Sequence, residues 1–394
     1  MKPPKHILPI IAIAQFFCTS LWFAGNGVLT DLISSFGLTQ SSVGHITSAV
    51  QLGFIAGTLL FAVFTFADRF SPSKVFFWSA LLGALANLGV LWDNNTLISI
   101  LVFRFATGFF LAGIYPVGMK IAADYFDKGL GKSLGYLVGA LVVGTALPHL
   151  LKDLTHIFPW KYVILATSFL ALFGGLLMIA LVPDGPYRKK SQKLDFTACI
   201  AVFSKSDFRA AAFGYFGHMW ELYAFWAFVP VWLGIFMEWH SVNEFRISFW
   251  SFWIIAIGGM ACVLGGYISQ RKGVKPTAGT ALLLSGVCCL ASPLVLLFAP
   301  LPVFILFLLF WGMVVVADSP LFSTLVAHSA PPNVKGTALT IVNCIGFAIT
   351  IVSLQVVNAL FAVIPPQFVF LVLTIGPALG LIGLFRKKRT SLKV

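Results

Sequence analysis

Three ionisable side chains, Arg104, Glu221 and Asp318, sit inside stretches otherwise made of apolar residues. Placing such a group in hydrocarbon costs at least about 2.5–3.5 kcal/mol, so each needs a partner or a task. Glu221 follows His218 by one helical turn, in the stretch Tyr215-Phe-Gly-His-Met-Trp-Glu221-Leu-Tyr223-Ala-Phe-Trp226. Residues three apart are neighbours on a helix surface, and a desolvated carboxyl beside an imidazole can load and release a proton. The alternative is a Glu221 permanently hydrogen-bonded to a neighbouring helix. Asp318 precedes Ser319-Pro320, where the proline frees a carbonyl and bends a helix; it suits a second proton site or a counter-ion for Arg104. Arg104 cannot give up its charge, which fits an anionic solute group or a fixed partner for the acids. One arginine against two acids leaves one negative charge, which a single proton would cancel. Gln15, Asn26, Tyr115, Trp226 and Asn343 are softer candidates for lining the same path.

The elements that must position these groups are membrane helices. Of 394 residues, 59% are hydrophobic and only 10% charged, and mean hydropathy is +0.95, outside the range of soluble globular domains. Twelve apolar segments lie at about 7–30, 43–67, 75–92, 96–122, 132–151, 161–182, 208–234, 246–269, 276–299, 302–327, 336–362 and 365–385, each long enough to cross a bilayer as a helix. The runs are continuous, without the alternation of barrel strands. The stretch from Asp184 to Arg209 is the longest too polar to cross, and it falls close to the middle. The expectation is an all-α membrane protein: an N-terminal six-helix bundle over 1–183, a cytoplasmic basic linker over 184–207, and a C-terminal six-helix bundle with a short basic tail over 208–394.

The net charge of +13 is one of placement. With the N-terminus inside and twelve crossings, Lys152, Lys161 and Arg246 fall outside, Arg104 falls in the membrane, and every other Lys and Arg falls on the cytoplasmic side. This is the positive-inside pattern, which places both termini in the cytoplasm of a cell with the chain in its inner (plasma) membrane. The basic residues then face lipid headgroups, and no nucleic-acid partner is implied. The six cysteines show no CxxC or Cys/His spacing and read as packing residues. Lys2 and Lys5 before an apolar core resemble a signal peptide, but without a small-x-small cleavage site the segment reads as an uncleaved first helix.

Two internal echoes point to duplication. The turn after the second segment reads Asp68-Arg69-Phe70-Ser71-Pro72-Ser73-Lys74, and the turn after the eighth carries Gly266, Gln270, Arg271, Lys272, Gly273 and Lys275. Both resemble the G-x-x-x-D-R-x-G-R-[RK] signature of the major facilitator superfamily, once per half; Phe64 and Ser71 replace glycines in the first copy and Gln270 replaces the acid in the second. Pro116 before Gly131-Lys132-Ser133-Leu134 is echoed by Pro320 before Gly336-Thr337-Ala338-Leu339. Arg104-x-x-x-Gly108-x-x-x-Ala112 is similar to the family's second motif. Gly135, Gly139, Gly144 and Pro148 are only loosely similar to its antiporter motif, and Gly135 with Gly139 reads equally as a packing face. Gly25-Asn26-Gly27 marks a weakened stretch of the first helix.

The resemblance implies two pseudo-symmetric six-helix bundles whose first, fourth, seventh and tenth helices line a central cavity, so Arg104, Glu221 and Asp318 are expected to converge there. It implies a secondary active transporter working by alternating access; Arg104 adds the expectation of a small polar solute, anionic or neutral, the charge balance adds proton coupling, and a monomer is expected. A facilitator, a drug-type exporter and a non-transporting sensor are the alternatives. It also implies a cytoplasmic gate of Asp68, Arg69, Lys74, Gln270 and Arg271, with Asp68 near the N-terminal end of helix eleven in the outward-open state. No enzyme is expected, and no cofactor or metal: Gly131-Lys132-Ser133 lacks the leading glycine of a phosphate loop, Phe126 standing in its place, and no HExxH, GxSxG or metal-spaced cluster occurs.

Overall fold

The structure, a computed structural model, describes residues 4–39, 41–126, 130–154, 158–188, 202–242, 244–331 and 334–386, apart from the side chains of Asp68 and of residues 130–132. Most of the expected linker, Cys199, the Gly131-Lys132 pair and the basic tail therefore lie outside the described residues or side chains. Among the described residues there is no strand, and eleven helices are long and apolar enough to cross a membrane. The second crossing is Ser42–Val63, the third Pro72–Leu88, the fourth Leu97–Leu111 with Tyr115–Tyr125, the fifth Leu130–Leu154 and the sixth Lys161–Leu181. The seventh is Ser206–Trp239, the eighth Ile247–Lys272, the ninth Val274–Phe298, the tenth Leu301–Ala317 with Ser319–Ser329 and the eleventh Lys335–Val363. The twelfth runs from Pro366 to Phe385 through a 3-10 stretch at Phe370–Thr374.

The first crossing departs from the single helix expected over 7–30. It is three pieces end to end: Ile7–Thr19, Ala24–Gly27 and Leu29–Phe36. Between the first two the backbone tightens to three-residue turns, with Trp22 N donating to Thr19 O at 3.0 Å. The break falls just before Gly25-Asn26-Gly27 and has a specific buttress. Arg104 Nη2 donates to Leu21 O at 2.9 Å and to Trp22 O at 2.6 Å, while Nη1 donates to Asn87 Oδ1 at 3.0 Å. Carbonyls at the C-terminal end of a helix carry partial negative charge, so the guanidinium is neutralised by backbone. Asn87 in turn donates to Ile164 O, Thr167 and Ser168 of the sixth crossing. One buried residue therefore ties together the first, third, fourth and sixth crossings. A Cβ at Gly25 would stand 3.2 Å from Arg104 Nε, so the small residue there leaves room for the guanidinium.

The two halves repeat their irregularities. Pro116 lies at the start of Tyr115–Tyr125 and Pro320 at the start of Ser319–Ser329, each opening the second segment of a broken crossing, where a missing N–H costs nothing. Gly108 lets the fourth crossing meet the second, a Cβ there falling 2.0 Å from Val50 O; Gly312 does the same for the tenth on the eighth, 1.9 Å from Ile254 O. Close approach through small residues is how membrane helices gain contact when burial alone gives no driving force.

The two signature turns differ in shape. Gly273 has φ +88°, which lets Ile247–Lys272 turn at once into Val274–Phe298. Its counterpart Ser71 has φ −57°, and the left-handed residue is Thr65 at φ +50°, so the second crossing stops at Val63 rather than 67 and a short helix, Phe66–Arg69, intervenes. This is why the first copy dispenses with the glycine. Residues 182–188 are fastened to the same turn: Ser73 Oγ donates to Val182 O at 2.6 Å, Ser71 Oγ to Asp184 at 2.7 Å, and Arg188 Nη2 to Phe70 O at 2.8 Å.

Removing the Arg104 buttress leaves two carbonyls and Asn87 without their donor. Arg104→Met is expected to destabilise the protein by about 2–4 kcal/mol and Arg104→Lys by less, read as melting temperature in detergent; an unchanged melting temperature for Arg104→Met would refute the buttress.

Candidate functional site

At mid-membrane the bundles meet through aromatic rings. Trp22 of the first crossing stacks on Tyr223 of the seventh, with centroids 5.8 Å apart, and on Phe347 of the eleventh at 5.6 Å. Phe54 of the second crossing packs on Trp22 at 4.8 Å and Phe347 at 4.6 Å, and Trp226 meets Phe23 edge-on at 6.3 Å. The indole N–H of Trp220 has an acceptor, Val372 O at 3.1 Å, but among the described residues those of Trp22, Trp226 and Trp232 are buried without one, the last of them inside the second bundle against Phe304, Trp311 and Phe370. Two turns along the seventh crossing, about 12 Å toward the termini, Tyr215 Oη donates to Asn343 Oδ1 at 2.6 Å. Tyr115 faces Tyr215 and Tyr223 from the fourth crossing, at the proline break. Breaks in the first and fourth crossings thus flank a layer of rings and hydroxyls between the bundles.

His218 and Asp318 form a dry pair at the edge of this layer. His218 Nδ1 lies 2.8 Å from Asp318 Oδ1, and each side chain is 1% exposed. The contact is close but off the hydrogen-bonding direction, and among the described residues neither ring nitrogen nor either carboxyl oxygen has an aligned partner. Asp318 occupies the junction between the two segments of the tenth crossing, its carbonyl accepting from Leu321 N at 2.9 Å and Phe322 N at 2.8 Å.

Glu221 points elsewhere. At 100° per residue it is turned roughly 120° from Tyr215 around the seventh crossing, and it enters the interior of the second bundle. Its Oε1 accepts from Trp311 Nε1 at 2.9 Å, from Cys289 Sγ at 3.6 Å and from Ser285 Oγ. The expected convergence on one vestibule is therefore corrected. Arg104 is held by carbonyls and Asn87, Glu221 by donors of the ninth and tenth crossings, and Asp318 by His218; each occupies a separate dry contact, and the Arg104–Asp318 pair is not formed. Turning of the helices between positions three apart, and carbonyls released by an unforeseen break, are the physical reasons.

The softer candidates divide. Asn26 Nδ2 donates to Thr47 Oγ1 at 2.7 Å, within the first bundle. Gln15 is fully buried against Gly118, and among the described residues neither of its amide atoms has a partner. Tyr115, Trp226 and Asn343 belong to the central layer. Of the expected gate, Arg69, Lys74, Gln270 and Arg271 are exposed on the face that carries the termini, and the Asp68 side chain lies outside the described ones. Reading the sequence missed Tyr215, Tyr223, Phe54 and Phe347, although the tyrosines stand in the same stretch as His218 and Glu221. It also missed Asn87, Ser285 and Trp311, which carry no local signal because their partners come from other helices.

Toward the opposite face the bundles are sealed. Ser48 of the second crossing accepts from Gln355 Nε2 of the eleventh at 2.8 Å, and Arg246 before the eighth pairs with Asp153 of the fifth. Lys152 pairs with Asp31 at 2.7 Å and Lys161 with Asp93 at 2.5 Å, so each of the three cations expected on this face has an acid beside it.

The whole chain aligns with solved transporters. It superposes on the human organic anion transporter MFSD10 with a TM-score of 0.77 at 15% identity, covering 97% of this chain and all of that one. The proton:xylose symporter XylE gives 0.74 at 14%, covering 95% and 94%. At these identities the likeness establishes the fold. AraJ of Escherichia coli (strain K12) is 23% identical over 281 residues, 68% of this chain and 65% of that protein. The chain spans about half to two-thirds of the length of the curated relatives it matches most strongly. Residues 11–354 match the model of the Major Facilitator Superfamily, to which this multi-pass chain therefore belongs.

Proposed function

We propose that the protein is a proton-coupled secondary transporter of a small polar solute rich in hydrogen-bond-accepting oxygens, bound between the bundles at the aromatic layer. The observation that carries this reading is the pair of buried indole N–H groups, on Trp22 and Trp226, that have no protein acceptor among the described residues yet stand at the ring stack joining the two bundles. Buried donors are normally satisfied, and a solute oxygen beside an aromatic face would do so while the rings cover its apolar side. Tyr215, Asn343 and Tyr115 supply further polar contacts. An anionic group on the solute would call on Arg104, whose forked end is already bonded to Leu21, Trp22 and Asn87. The reading therefore needs no carboxylate on the solute, although MFSD10 is an organic anion transporter.

Coupling is assigned to the His218–Asp318 pair in preference to Glu221. A proton joining Asp318 carboxylate and neutral His218 takes the pair from net −1 to zero, which matters in a site of low dielectric. The positive-inside rule sets both termini in the cytoplasm, so the seal at Ser48–Gln355 and Asp153–Arg246 closes the external side. With 1–183 and 208–394 as the two moving bundles, alternating access requires that seal to part.

Three outcomes are expected. In proteoliposomes with an inward proton gradient, His218→Gln and Asp318→Asn lose gradient-driven accumulation while retaining exchange, and Glu221→Gln retains both; accumulation unaffected by Asp318→Asn refutes the coupling assignment. In a thermal-shift panel of sugars, hydroxy acids and lipophilic amines, oxygen-rich polar solutes raise the melting temperature, and Tyr215→Phe weakens binding about fivefold to tenfold, the worth of one hydrogen bond; stabilisation by lipophilic amines alone overturns the solute class. Bridging Ser48→Cys to Gln355→Cys with a short thiol-reactive linker stops turnover, and transport continuing after complete bridging refutes opening at that seal.

A further inference from the structure

The fifth, eighth and tenth crossings enclose a cleft of about 250 Å³ that the solute site does not use. Its mouth, on the face carrying the termini, is formed by Tyr136, Ser269, Gln270 and Val274, and its deep end by Cys262, Pro320 and Leu321. That deep end is the turn that carries Asp318: Leu321 N donates to Asp318 O at 2.9 Å, and Cys262 Sγ donates to Val316 O at 3.2 Å, so the two strands of contact bracket the acid. The aromatic layer lies on the other side of the tenth crossing's break, toward the seventh and eleventh. The pair is thus approached from two directions, one ringed and one hydroxyl-lined.

The fit of the helices along the cleft changes within a turn. At Gly139 the fifth crossing touches the eighth, an added Cβ falling 3.0 Å from Gly259 O, whereas a Cβ at Gly135 or Gly266 would meet nothing within 4 Å. The open stretch is therefore a gap of helix geometry, and its walls carry the polar groups of Ser269, Gln270, Thr324 and Tyr136.

We propose that this cleft is the proton route between the terminus-bearing face and the His218–Asp318 pair, separate from the path taken by the solute. The inference rests on the coupling role given to that pair. A proton enters from solvent at Gln270 and Ser269, passes the hydroxyl of Thr324, and reaches the Asp318 carboxylate as the turn at Pro320 yields; only an O–H bond is exchanged and nothing is oxidised or reduced. The titratable groups around the pair are Tyr215 and Glu221 on the seventh crossing and Cys262 on the eighth. Glu221 is held by Ser285, Cys289 and Trp311, so its carboxyl faces away from the cleft. A route on this side lets the pair change protonation while the aromatic layer is occupied by solute.

The test is a pH jump on the full-length protein in lipid nanodiscs, from mildly alkaline to mildly acidic, following the infrared carboxylic-acid C=O band with time. Asp318→Asn identifies the band of this pair by removing it. Gly135→Leu and Gly266→Leu, whose side chains enter open space, are expected to slow its appearance at least about tenfold, equivalent to ~1.4 kcal/mol of added barrier. An unchanged rate in both leucine variants, with normal melting temperatures, overturns the cleft as the route and leaves the coupling role of the pair standing. A carboxylic-acid signal that Asp318→Asn does not alter overturns the coupling role itself.

Discussion

The guanidinium of Arg104 on the carbonyls of Leu21 and Trp22 is the contact on which the first bundle depends. A full positive charge in a dry site has to be met by negative potential, and among the described residues its partners are two carbonyls and an amide oxygen. A broken helix supplies it, and the break in turn persists because its freed carbonyls have a fixed donor. Charge and irregular backbone hold one another in place, and Asn87 passes the constraint to the sixth crossing. The same break sets Trp22 and Phe23 at the interface with the second bundle, so the position of the aromatic layer follows from the position of one arginine.

The second bundle solves a comparable problem with acids. Glu221 is satisfied by hydroxyl, thiol and indole donors from the ninth and tenth crossings, and it links those helices as Arg104 links the first, third, fourth and sixth. Asp318 is different. Its partner is an imidazole at close range and poor alignment, at the junction of a broken helix, next to a cleft. Of the three intramembrane charges, it alone has an imidazole as its contact. In the proposed division of labour, Arg104 and Glu221 carry structural charge and Asp318 carries the exchangeable one.

Much of the architecture was legible in the sequence. Apolar run lengths gave the crossings, and the repeated prolines and signature turns gave the duplication that Pro116 with Pro320 and Gly108 with Gly312 make physical. The first crossing was not legible as a broken helix, because the cause of the break lies on the fourth crossing, more than eighty residues away. The candidate site was read too broadly for a related reason. Counting charges by helix says which crossing carries them but not which way they turn, and the rotation between Tyr215 and Glu221 separates a ring layer from a bundle interior. His218 was placed beside Glu221 along the chain; its contact is across space, with Asp318.

The contact between the fifth and eighth crossings has a mechanical consequence. The helices touch backbone to backbone at Gly139 and Gly259, while Gly135 and Gly266 face open space, so in the proposed alternating access this contact is the fulcrum, set within the membrane. From a fulcrum near the midplane the lever arm to either surface is roughly 15 Å, half the hydrocarbon thickness. Rocking by a few degrees then displaces the helix ends by ångströms while the residues at the pivot scarcely move. In that motion two glycines at the axle convert slight rotations into usable apertures, and a side chain at either would press on the facing carbonyl.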